Sequence, residues 1–270
     1  MTALVEVVES GWATTIQDGG RPGFAHLGVP SSGFVDPALA ALTNRLVGNQ
    51  RLAALFETCG GLTIRAVGAL LIASSRELAP ISLAAGETYR LDPDAKRLWH
   101  YLAVRGGIVV EKVLGSSATD TLSALGPPPV SVGDAYPVGL EPMTAIVTDQ
   151  APRGELAHVV RITAGPRADW FDESWRRRIT GTSWEVSTSN RVGVRLSGSP
   201  LVRRGSGELA SEGLVRGALQ VPPDGTLVMM LSDHPTTGGY PVIAIVHIDD
   251  VATLAQHHPG SSIRFRLTTD

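Results

Sequence analysis

The chain has 270 residues, of which 43% are hydrophobic and 18% charged, so it can form a large core in one domain or in two lobes of about 130 residues each. The net charge of −3 and the presence of only two lysines, Lys96 and Lys112, argue against a nucleic-acid-binding surface. The single cysteine, Cys59, excludes an internal disulfide and a cysteine-based zinc site. No signal peptide opens the sequence and no apolar run is long enough to span a membrane, so we expect a soluble cytoplasmic protein.

Short alternating or apolar runs recur along the chain, rich in Val, Ile, Leu and Thr and bounded by Gly, Pro, Ser or Asp. These features are typical of β-strands, and the many glycines and prolines mark the turns between them. The pattern predicts a mainly β fold of the barrel or sandwich type with a few short helices. The predicted strands are residues 3–10, 14–18, 62–75, 81–91, 97–104, 107–115, 158–165, 184–189, 192–198, 227–233, 242–248 and 262–268.

Three segments have helical patterns instead. Residues 36–49 begin with Asp36 as a candidate N-cap and Pro37 at the first helical position, and Gly48 ends them. Residues 168–180 have acids early and arginines late, which suits the helix dipole. Residues 249–260 begin with two aspartates as alternative N-caps. The proline-rich stretch 125–155 is the candidate boundary between two lobes of about 1–130 and 131–270.

The first polar cluster, residues 16–33, places Gln17, Asp18, Arg21 and His26 among five glycines. Asp18-Gly19 is a strong turn signal, so a hairpin followed by a loop accounts for part of the pattern. An arginine beside pliant backbone is also well suited to a carboxylate or phosphate. We favour a functional role for this cluster.

Two further clusters have less decisive signals. Residues 114–126 carry Ser116, Ser117 and Asp120, whose side chains after Gly115 are better explained as caps of a turn. In the segment "SNRVG", Asn190 and Arg191 fit a turn and a ligand-binding strand start equally well.

The fourth cluster is "LSDHPTTGGYPVIAIVHI", residues 231–248. Apolar runs flank its polar residues, which places them at the end of a sheet, where barrel rims collect binding groups. Glycine backbone can approach an anion closely, and threonine hydroxyls can donate to it. We therefore assign anion binding to Thr236, Thr237, Gly238, Gly239 and Tyr240. Asp233 could act as a base or hold magnesium, and His234 could transfer a proton.

Several familiar motifs are absent from the sequence. It has no GxxxxGK[ST] phosphate loop, no GxGxxG after a strand and no HExxH. The residues around Lys112 do not form a biotin-attachment hairpin, so we expect no covalently attached biotin. We assign no residue as a dedicated metal ligand.

Six stretches in chain order together resemble the KipA-type family, also called the C component of 5-oxoprolinase or allophanate hydrolase subunit 2. They are "QDGGRPGFAHLGVPSSGFVDPALAALTNRLVGN", "LGSSATDTLSALG", "SNRVGVRLSG", "ELASEGLVRGALQVPPDG", "DHPTTGGYPVIAIV" and "LAQHHPG". The resemblance covers nearly the whole chain. It implies one domain over residues 1–270, with a cyclophilin-like β-barrel and a relationship to the carboxyltransferase domain of urea carboxylase.

The resemblance also implies an activity and partners. The expected reaction is ATP-dependent cleavage of 5-oxoproline to glutamate with Mg²⁺, carried out with a KipI-type protein (the B component, or allophanate hydrolase subunit 1) and with a third protein, the A component. A lactam amide resists hydrolysis, and phosphorylation of its oxygen would make that oxygen a leaving group. Such a site needs donors for phosphate, a cation for the substrate carboxylate and a carboxylate for a proton or metal.

We accordingly expect catalytic roles for Asp18, Asp233 and His26. Binding of substrate or phosphate is expected from Gln17, Arg21, Asn190, Arg191, Thr236, Thr237, Gly238, Gly239 and Tyr240. Two alternatives stay open: a carboxyltransferase-like partner in urea or allophanate metabolism that accepts carboxybiotin from another protein, and a non-enzymatic regulator that binds a KipI-like kinase inhibitor.

Overall fold

The structure is a computed structural model that describes residues 3–146, 148, 150–205, 207 and 209–268. The chain divides into two compact units. Unit 1 comprises Met1–Pro22 and Ser32–Glu155, and unit 2 comprises Gly23–Ser31 and Leu156–Asp270. The chain thus passes from unit 1 to unit 2 for the last time at the end of the proline-rich stretch, between Glu155 and Leu156, rather than near residue 130. No sequence signal indicated that residues 23–31 group with unit 2.

Unit 1 has two antiparallel sheets and one helix. The five-stranded sheet has the order β2-β3-β8-β5-β6 and the four-stranded sheet the order β7-β4-β1-β9. The elements are β1 Leu4–Ser10, β2 Thr15–Gln17, α1 Pro37–Leu46, β3 Leu55–Thr58, β4 Leu62–Val67, β5 Leu70–Ser74, β6 Pro80–Leu83, β7 Thr88–Leu91, β8 His100–Val104 and β9 Ala135–Pro137.

Both sheets of unit 1 contribute to one apolar core. Val5, Val7 and Ile64 come from the four-stranded sheet, and Phe56 and Ile72 come from the five-stranded sheet. Along β4, buried residues alternate with more exposed ones, as expected for a sheet with one face in a core. This period of two is the signal that made the strands predictable.

Helix α1 covers the other face of the five-stranded sheet, where Ala40 and Leu46 pack with Tyr101 and Ala103 of β8. Asp36 is its N-cap, and the Asp36 carboxylate accepts a hydrogen bond from the Leu39 N–H at 3.0 Å. The predicted start of this helix is confirmed.

A buried hydrogen-bond network ties the segment before α1 to the sheet. The Tyr101 hydroxyl donates to Glu57 Oε2 at 2.8 Å and accepts from the Asp36 N–H at 2.6 Å. Val35 N–H donates to the same Glu57 oxygen at 2.8 Å. Burial and the nearby Glu57 carboxylate raise the pKa of Tyr101 well above its ordinary value, so the phenol stays protonated as a donor.

Unit 2 is a closed barrel with the order β10-β17-β14-β15-β12-β11-β18, and a parallel pairing of β10 with β18 closes it. Its strands are β10 Val159–Ala164, β11 Trp184–Ser189, β12 Gly193–Ser197, β13 Glu212–Gly213, β14 Ala218–Gln220, β15 Leu227–Met230, β16 Thr237–Gly238, β17 Val242–Val246 and β18 Ser262–Leu267. Strands β13 and β16 form a separate two-stranded ribbon. The predicted mainly β fold with barrel character is confirmed.

Side chains fill the interior of the barrel: buried residues alternate with more exposed ones along β10, β11, β12 and β18, whereas β14 and β17 are buried along most of their length. Val194 and Leu196 are buried on β12, and Ile263 and Phe265 are buried on β18. The Trp184 and Phe265 rings lie 6.4 Å apart. The barrel therefore has a packed core.

Five predictions of secondary structure need correction. Each of the segments 62–75 and 81–91 is predicted as one strand, but the first contains β4 and β5 and the second contains part of β6 and all of β7. Residues 168–180 are a 3-10 turn, Ala168–Trp170, and then helix α2, Trp175–Gly181, because Phe171 between them is buried, extended and bridged to Arg203. Helix α3, Ile248–Ala255, has both predicted N-cap aspartates inside its first turn. Residues 107–115 form only isolated bridges rather than a strand, and Val109 is about half exposed.

No helix among the described residues is long and apolar enough to cross a membrane.

Replacing the N-cap tests the account of α1. We expect Asp36→Ala to lower the free energy of unfolding by about 1 kcal/mol, because the Leu39 N–H loses its acceptor, and Asp36→Asn to lower it by only a few tenths. Urea unfolding followed by circular dichroism measures both. Equal losses in the two variants would show that the cap contributes nothing specific.

A histidine pair in unit 2 predicts a pH dependence of stability. The His158 and His257 rings lie 4.9 Å apart, and His257 Nε2–H donates to the Ala157 carbonyl at 3.0 Å. Burial lowers the pKa of His257, and His158 and His258 lower it further. The unfolded chain therefore binds a proton at His257 more readily than the folded chain does. The contribution of His257 to stability is complete above about pH 6.5 and is lost as the pH falls through the lowered pKa of the folded state.

We expect the wild-type chain to lose more stability between about pH 8 and pH 5 than the His257→Gln variant. Urea unfolding at both pH values measures the difference, and His26→Gln, at an exposed histidine, is the matched control. The same pH dependence in all three proteins would contradict this role of His257.

Candidate functional site

The predicted site residues fall into two clusters, one within each unit. In unit 1, Asp18 follows strand β2 and is only 8% exposed. Its carboxylate accepts from the Ser116 hydroxyl at 2.6 Å, the Ser117 N–H at 2.7 Å and the Gly20 N–H at 2.8 Å. The carboxylate thus fixes the segment at residues 116–117 to the turn after β2, which is a structural role, and a catalytic role of Asp18 stays a prediction.

Arg21 also faces the protein rather than a ligand. It is 1% exposed, and its guanidinium donates to the Val113 carbonyl at 3.3 Å and to the Ala118 carbonyl. Gly126 packs against this contact in the left-handed region, and a Cβ there would clash with the Ala118 oxygen. Almost none of this arginine is presented at the surface, so its predicted pairing with a substrate carboxylate has no support in its observed contacts and stays a prediction.

Gln17 completes the cluster in unit 1. Its amide nitrogen donates to the Thr119 carbonyl at 2.8 Å and to the Thr15 hydroxyl at 3.0 Å. Ser32 donates to the same carbonyl at 3.1 Å. The clamped loop, as we call the buried segment 116–120, is thus held by Gln17, Asp18, Arg21 and Ser32 of unit 1.

The remaining predicted residue of the first cluster lies elsewhere. His26 is exposed in a 3-10 turn, Ala25–Leu27, whose residues group with unit 2. His26 is close to Asp18 and Arg21 in the sequence, but it belongs to a different unit.

In unit 2, Arg191 and Asp233 form a buried ion pair. Arg191 Nε donates to Asp233 Oδ2 and Nη2 donates to Oδ1, both at 2.9 Å, and the two side chains are 2% and 0% exposed. Both carboxylate oxygens accept from the guanidinium, so Asp233 is not a free base and Arg191 is not presented to a ligand. The pairing gives both side chains a structural role, and their predicted roles in catalysis and binding stay predictions.

The ion pair lies just beyond the ends of β12 and β15, where the backbone hydrogen bonds between them continue. Leu231 N–H donates to the Val192 carbonyl and Asp233 N–H donates to the Arg191 carbonyl, both at 2.9 Å. These bonds extend the antiparallel pairing of β12 with β15. The loop at residues 234–241, which joins β15 to β17, therefore starts from a rigid position.

One of the two glycines of this loop, Gly238, is needed for packing. A Cβ on Gly238 would lie 2.8 Å from both Gln220 Nε2 and Leu214 Cδ1. Gly238 pairs with Glu212 in the β13–β16 ribbon, and Arg167 forms a two-pronged ion pair with the Glu212 carboxylate. Gly239 is exposed and has ordinary space around it.

His234 lies directly after the ion pair and is 9% exposed. Because a carbonyl can only accept, the 2.8 Å contact with the Pro235 oxygen assigns the ring proton to Nδ1 and leaves the lone pair on Nε2. Burial lowers the pKa of His234, and the Arg216 charge also lowers it, against opposing effects of Pro235 and Asp233. The ring is therefore neutral at neutral pH.

The side chains that remain available lie around this loop. The Thr236 and Thr237 hydroxyls make no hydrogen bond to another described residue, and Thr237 and Tyr240 are exposed. Asn190 is exposed and accepts from two backbone N–H groups through Oδ1, so the turn interpretation holds while its Nδ2 stays available. This end of the barrel presents hydroxyl, amide and glycine backbone groups together with a neutral imidazole.

Sequence reasoning missed the segment that faces Tyr240. A cavity of about 790 Å³ is lined by Leu201, Arg203, Pro223, Gly239 and Tyr240, among others. The Arg203 guanidinium lies 5.8 Å from the Tyr240 ring centroid. The signal available in the sequence was "PLVRRG", in which apolar residues precede two arginines and a glycine.

Comparison with known proteins identifies the family. The protein-family model for the carboxyltransferase domain, subdomain A and B, matches residues 27–267 of this chain. The chain belongs to this family. Its resemblance to the KipA-type proteins is confirmed by a relative from Escherichia coli that is named as the C component of 5-oxoprolinase, with 31% identity over 97% of this chain and 90% of the relative.

Two solved structures share the carboxyltransferase-domain fold. TTHA0988 superposes with a TM-score of 0.88 at 31% identity, over 98% of this chain and 56% of the solved one. The urea carboxylase of Kluyveromyces lactis superposes with a TM-score of 0.91 at 25% identity, over 99% of this chain and 28% of the solved one. The carboxyltransferase domain of this chain thus spans about half or less of those longer proteins.

The ion pair is testable by a double-mutant cycle. We expect Asp233→Leu or Arg191→Met alone to lower the free energy of unfolding by about 3–5 kcal/mol, because each leaves a buried charge unpaired. The double variant Arg191→Met/Asp233→Leu should recover most of this loss. Urea unfolding measures all three variants.

The control is Arg195→Met, which breaks the exposed contact of Arg195 with Asp224 at 3.6 Å and should change stability by less than about 1 kcal/mol. Additive losses in the double variant would contradict a coupled, buried pair.

Proposed function

We propose that this chain is the C component of an ATP-dependent 5-oxoprolinase that cleaves 5-oxoproline to glutamate together with the B and A components. One observation carries the proposal: the chain corresponds to 90% of the relative that bears this name. It corresponds to only 28% of the urea carboxylase chain. The correspondence is therefore with a whole protein in the first case and with a part in the second.

The end of the barrel around residues 234–240 suits the binding of an oxyanion. Thr236 and Thr237 supply hydroxyl donors without partners among the described residues, and the exposed Gly239 leaves its backbone accessible. A phosphorylated lactam oxygen or the substrate carboxylate would bind there. The ion pair of Arg191 with Asp233 supports this position from within the barrel without contacting the ligand.

His234 is the proposed proton acceptor at this position. The Pro235 carbonyl fixes its Nδ1 proton, and the neutral ring keeps a lone pair on Nε2. A neutral imidazole can take a proton from water as the water oxygen bonds to the phosphorylated lactam carbon. The ring C–N bond then breaks with protonation of its nitrogen, and hydrolysis of the resulting acyl phosphate releases phosphate and glutamate. This role replaces the one that the sequence suggested for Asp233.

A magnesium site formed by this chain has no support in the described residues. They contain no group of three or more His, Cys, Asp or Glu side chains suited to a metal ion, and Asp233 is occupied by Arg191. We therefore assign no step of the reaction to a metal held by this chain.

A carboxyltransferase-like role is the second candidate. It is favoured by the family model and by the close superposition on urea carboxylase. In that case the chain would accept a carboxyl group from biotin carried on another protein. Capture of a biotinylated partner by this chain, detected with avidin, would favour this role.

The decisive experiment is glutamate release from 5-oxoproline with ATP and Mg²⁺. We expect glutamate from this chain co-expressed with the B component and supplemented with the A component, and none when this chain is omitted. We expect Thr237→Val to lower kcat/KM by about tenfold, because a donor to the oxyanion is lost. The matched control is Thr188→Val, at an exposed threonine on β11.

Two results would count against the proposal. A stable complex that releases no glutamate with ATP would favour the carboxyltransferase-like or the regulatory role. Glutamate release that is equal in the Thr237→Val and Thr188→Val proteins would keep the activity but refute the placement of the site.

A further inference from the structure

The cavity of about 790 Å³ in unit 2 continues from the proposed oxyanion site, because Gly239 and Tyr240 belong to both. Its volume lies within the range of about 300–1,000 Å³ that is typical of small-molecule sites. The single five-membered ring of 5-oxoproline would fill only a small part of it. The cavity therefore fits a larger ligand than the proposed lactam substrate.

One wall of the cavity is aromatic and apolar. Tyr240 is 46% exposed, and Leu201 and Pro223 also line the cavity. The Tyr240 backbone is fixed, since its carbonyl accepts from Gln220 Nε2 at 3.0 Å. The exposed Tyr240 ring offers a surface on which a flat heterocycle can stack.

The cavity also carries a cation. Arg203 donates through Nη2 to the Val221 carbonyl, which fixes its guanidinium, and no acidic residue in the described chain forms an ion pair with it. Its position over the Tyr240 ring, at 5.8 Å, keeps the charge beside the aromatic wall. An anionic group on the ligand would meet this charge.

A carboxylate is the third polar feature. Asp224 lines the cavity and is exposed, and its Oδ1 accepts from the Thr226 N–H at 3.0 Å and the Thr226 hydroxyl at 2.7 Å. Oδ2 lies 3.6 Å from Arg195 Nη1, beyond hydrogen-bond distance. This oxygen can accept from the vicinal hydroxyl groups of a sugar, as carboxylates do for ribose.

We propose that this cavity binds a purine ribonucleotide, with the base against Tyr240, the ribose hydroxyls at Asp224 and the phosphate at Arg203. An aromatic surface, a carboxylate and a cation in one cavity match the three parts of a nucleotide. The assignment of ATP as the natural ligand rests on the proposed function, but the nucleotide site itself does not.

The test is isothermal titration calorimetry of the full chain with AMP, with adenosine and inorganic phosphate as separate probes. We expect AMP to bind more tightly than either fragment. Tyr240→Ala and Arg203→Met should each weaken AMP binding by about tenfold, and Tyr240→Phe should retain it. Arg203→Met should leave adenosine binding unchanged, whereas Tyr240→Ala should weaken it.

The matched control is Arg204→Met, at the exposed neighbouring arginine, which does not line the cavity and should bind AMP as the wild type does. Equal AMP affinity in the Tyr240→Ala and Tyr240→Phe proteins would overturn the proposal, and so would the absence of binding of AMP or ATP to the full chain. If Arg203→Met fails to fold, the comparison of Tyr240→Ala with Tyr240→Phe still tests the proposal.

The glutamate assay separates this proposal from the proposed function. If the complete mixture releases glutamate with the same KM for ATP in the Tyr240→Ala and wild-type proteins, the cavity is not the nucleotide site and the oxoprolinase proposal stands. If no glutamate forms but AMP binding depends on Tyr240 and Arg203, the nucleotide site stands without the oxoprolinase activity.

Discussion

The buried ion pair between Arg191 and Asp233 is the constraint on which the functional end of the barrel depends. Both charges are removed from water, so their mutual hydrogen bonds must be kept at good geometry. The backbone bond between the same two residues ties that geometry to the ladder of β12 and β15. The loop that follows carries the hydroxyl and glycine groups of the proposed site. Its start is held in place because Asp233, directly before it, cannot move without leaving a buried charge unpaired.

In unit 1, buried polar side chains also hold a loop in place, but they do so by hydrogen bonds to it rather than by an ion pair. The polar residues Gln17, Asp18 and Arg21 are directed inward, where they hold the clamped loop through backbone and hydroxyl groups. A motif rich in acid, amide and guanidinium groups can thus serve to position backbone. The residue types that carry chemistry at a surface are also the ones that satisfy a buried loop, and burial decides between the two uses.

The proposed site and the proposed nucleotide cavity share the loop at residues 234–241. Hydroxyl and glycine groups on its first part suit an oxyanion, and Tyr240 on its last part faces the cavity of Arg203 and Asp224. A phosphoryl donor and its acceptor would need to meet at such a junction, because transfer requires the reacting groups to be held close and in line. The arrangement gives one short loop two adjoining binding functions.

The sequence by itself determined the class of the fold, the start of α1 and most strands, because alternation with a period of two and a capping aspartate followed by proline are local signals. It also determined the family, through long motifs. Tertiary structure decided which polar residues are buried: Asp18, Arg21, Arg191 and Asp233 are buried by partners that are distant in sequence, such as Ser116 for Asp18. Arg203 and Tyr240 lie on different segments, which the tertiary structure brings to one cavity. Burial and pairing are properties of contacts between distant segments, so no local pattern contains them.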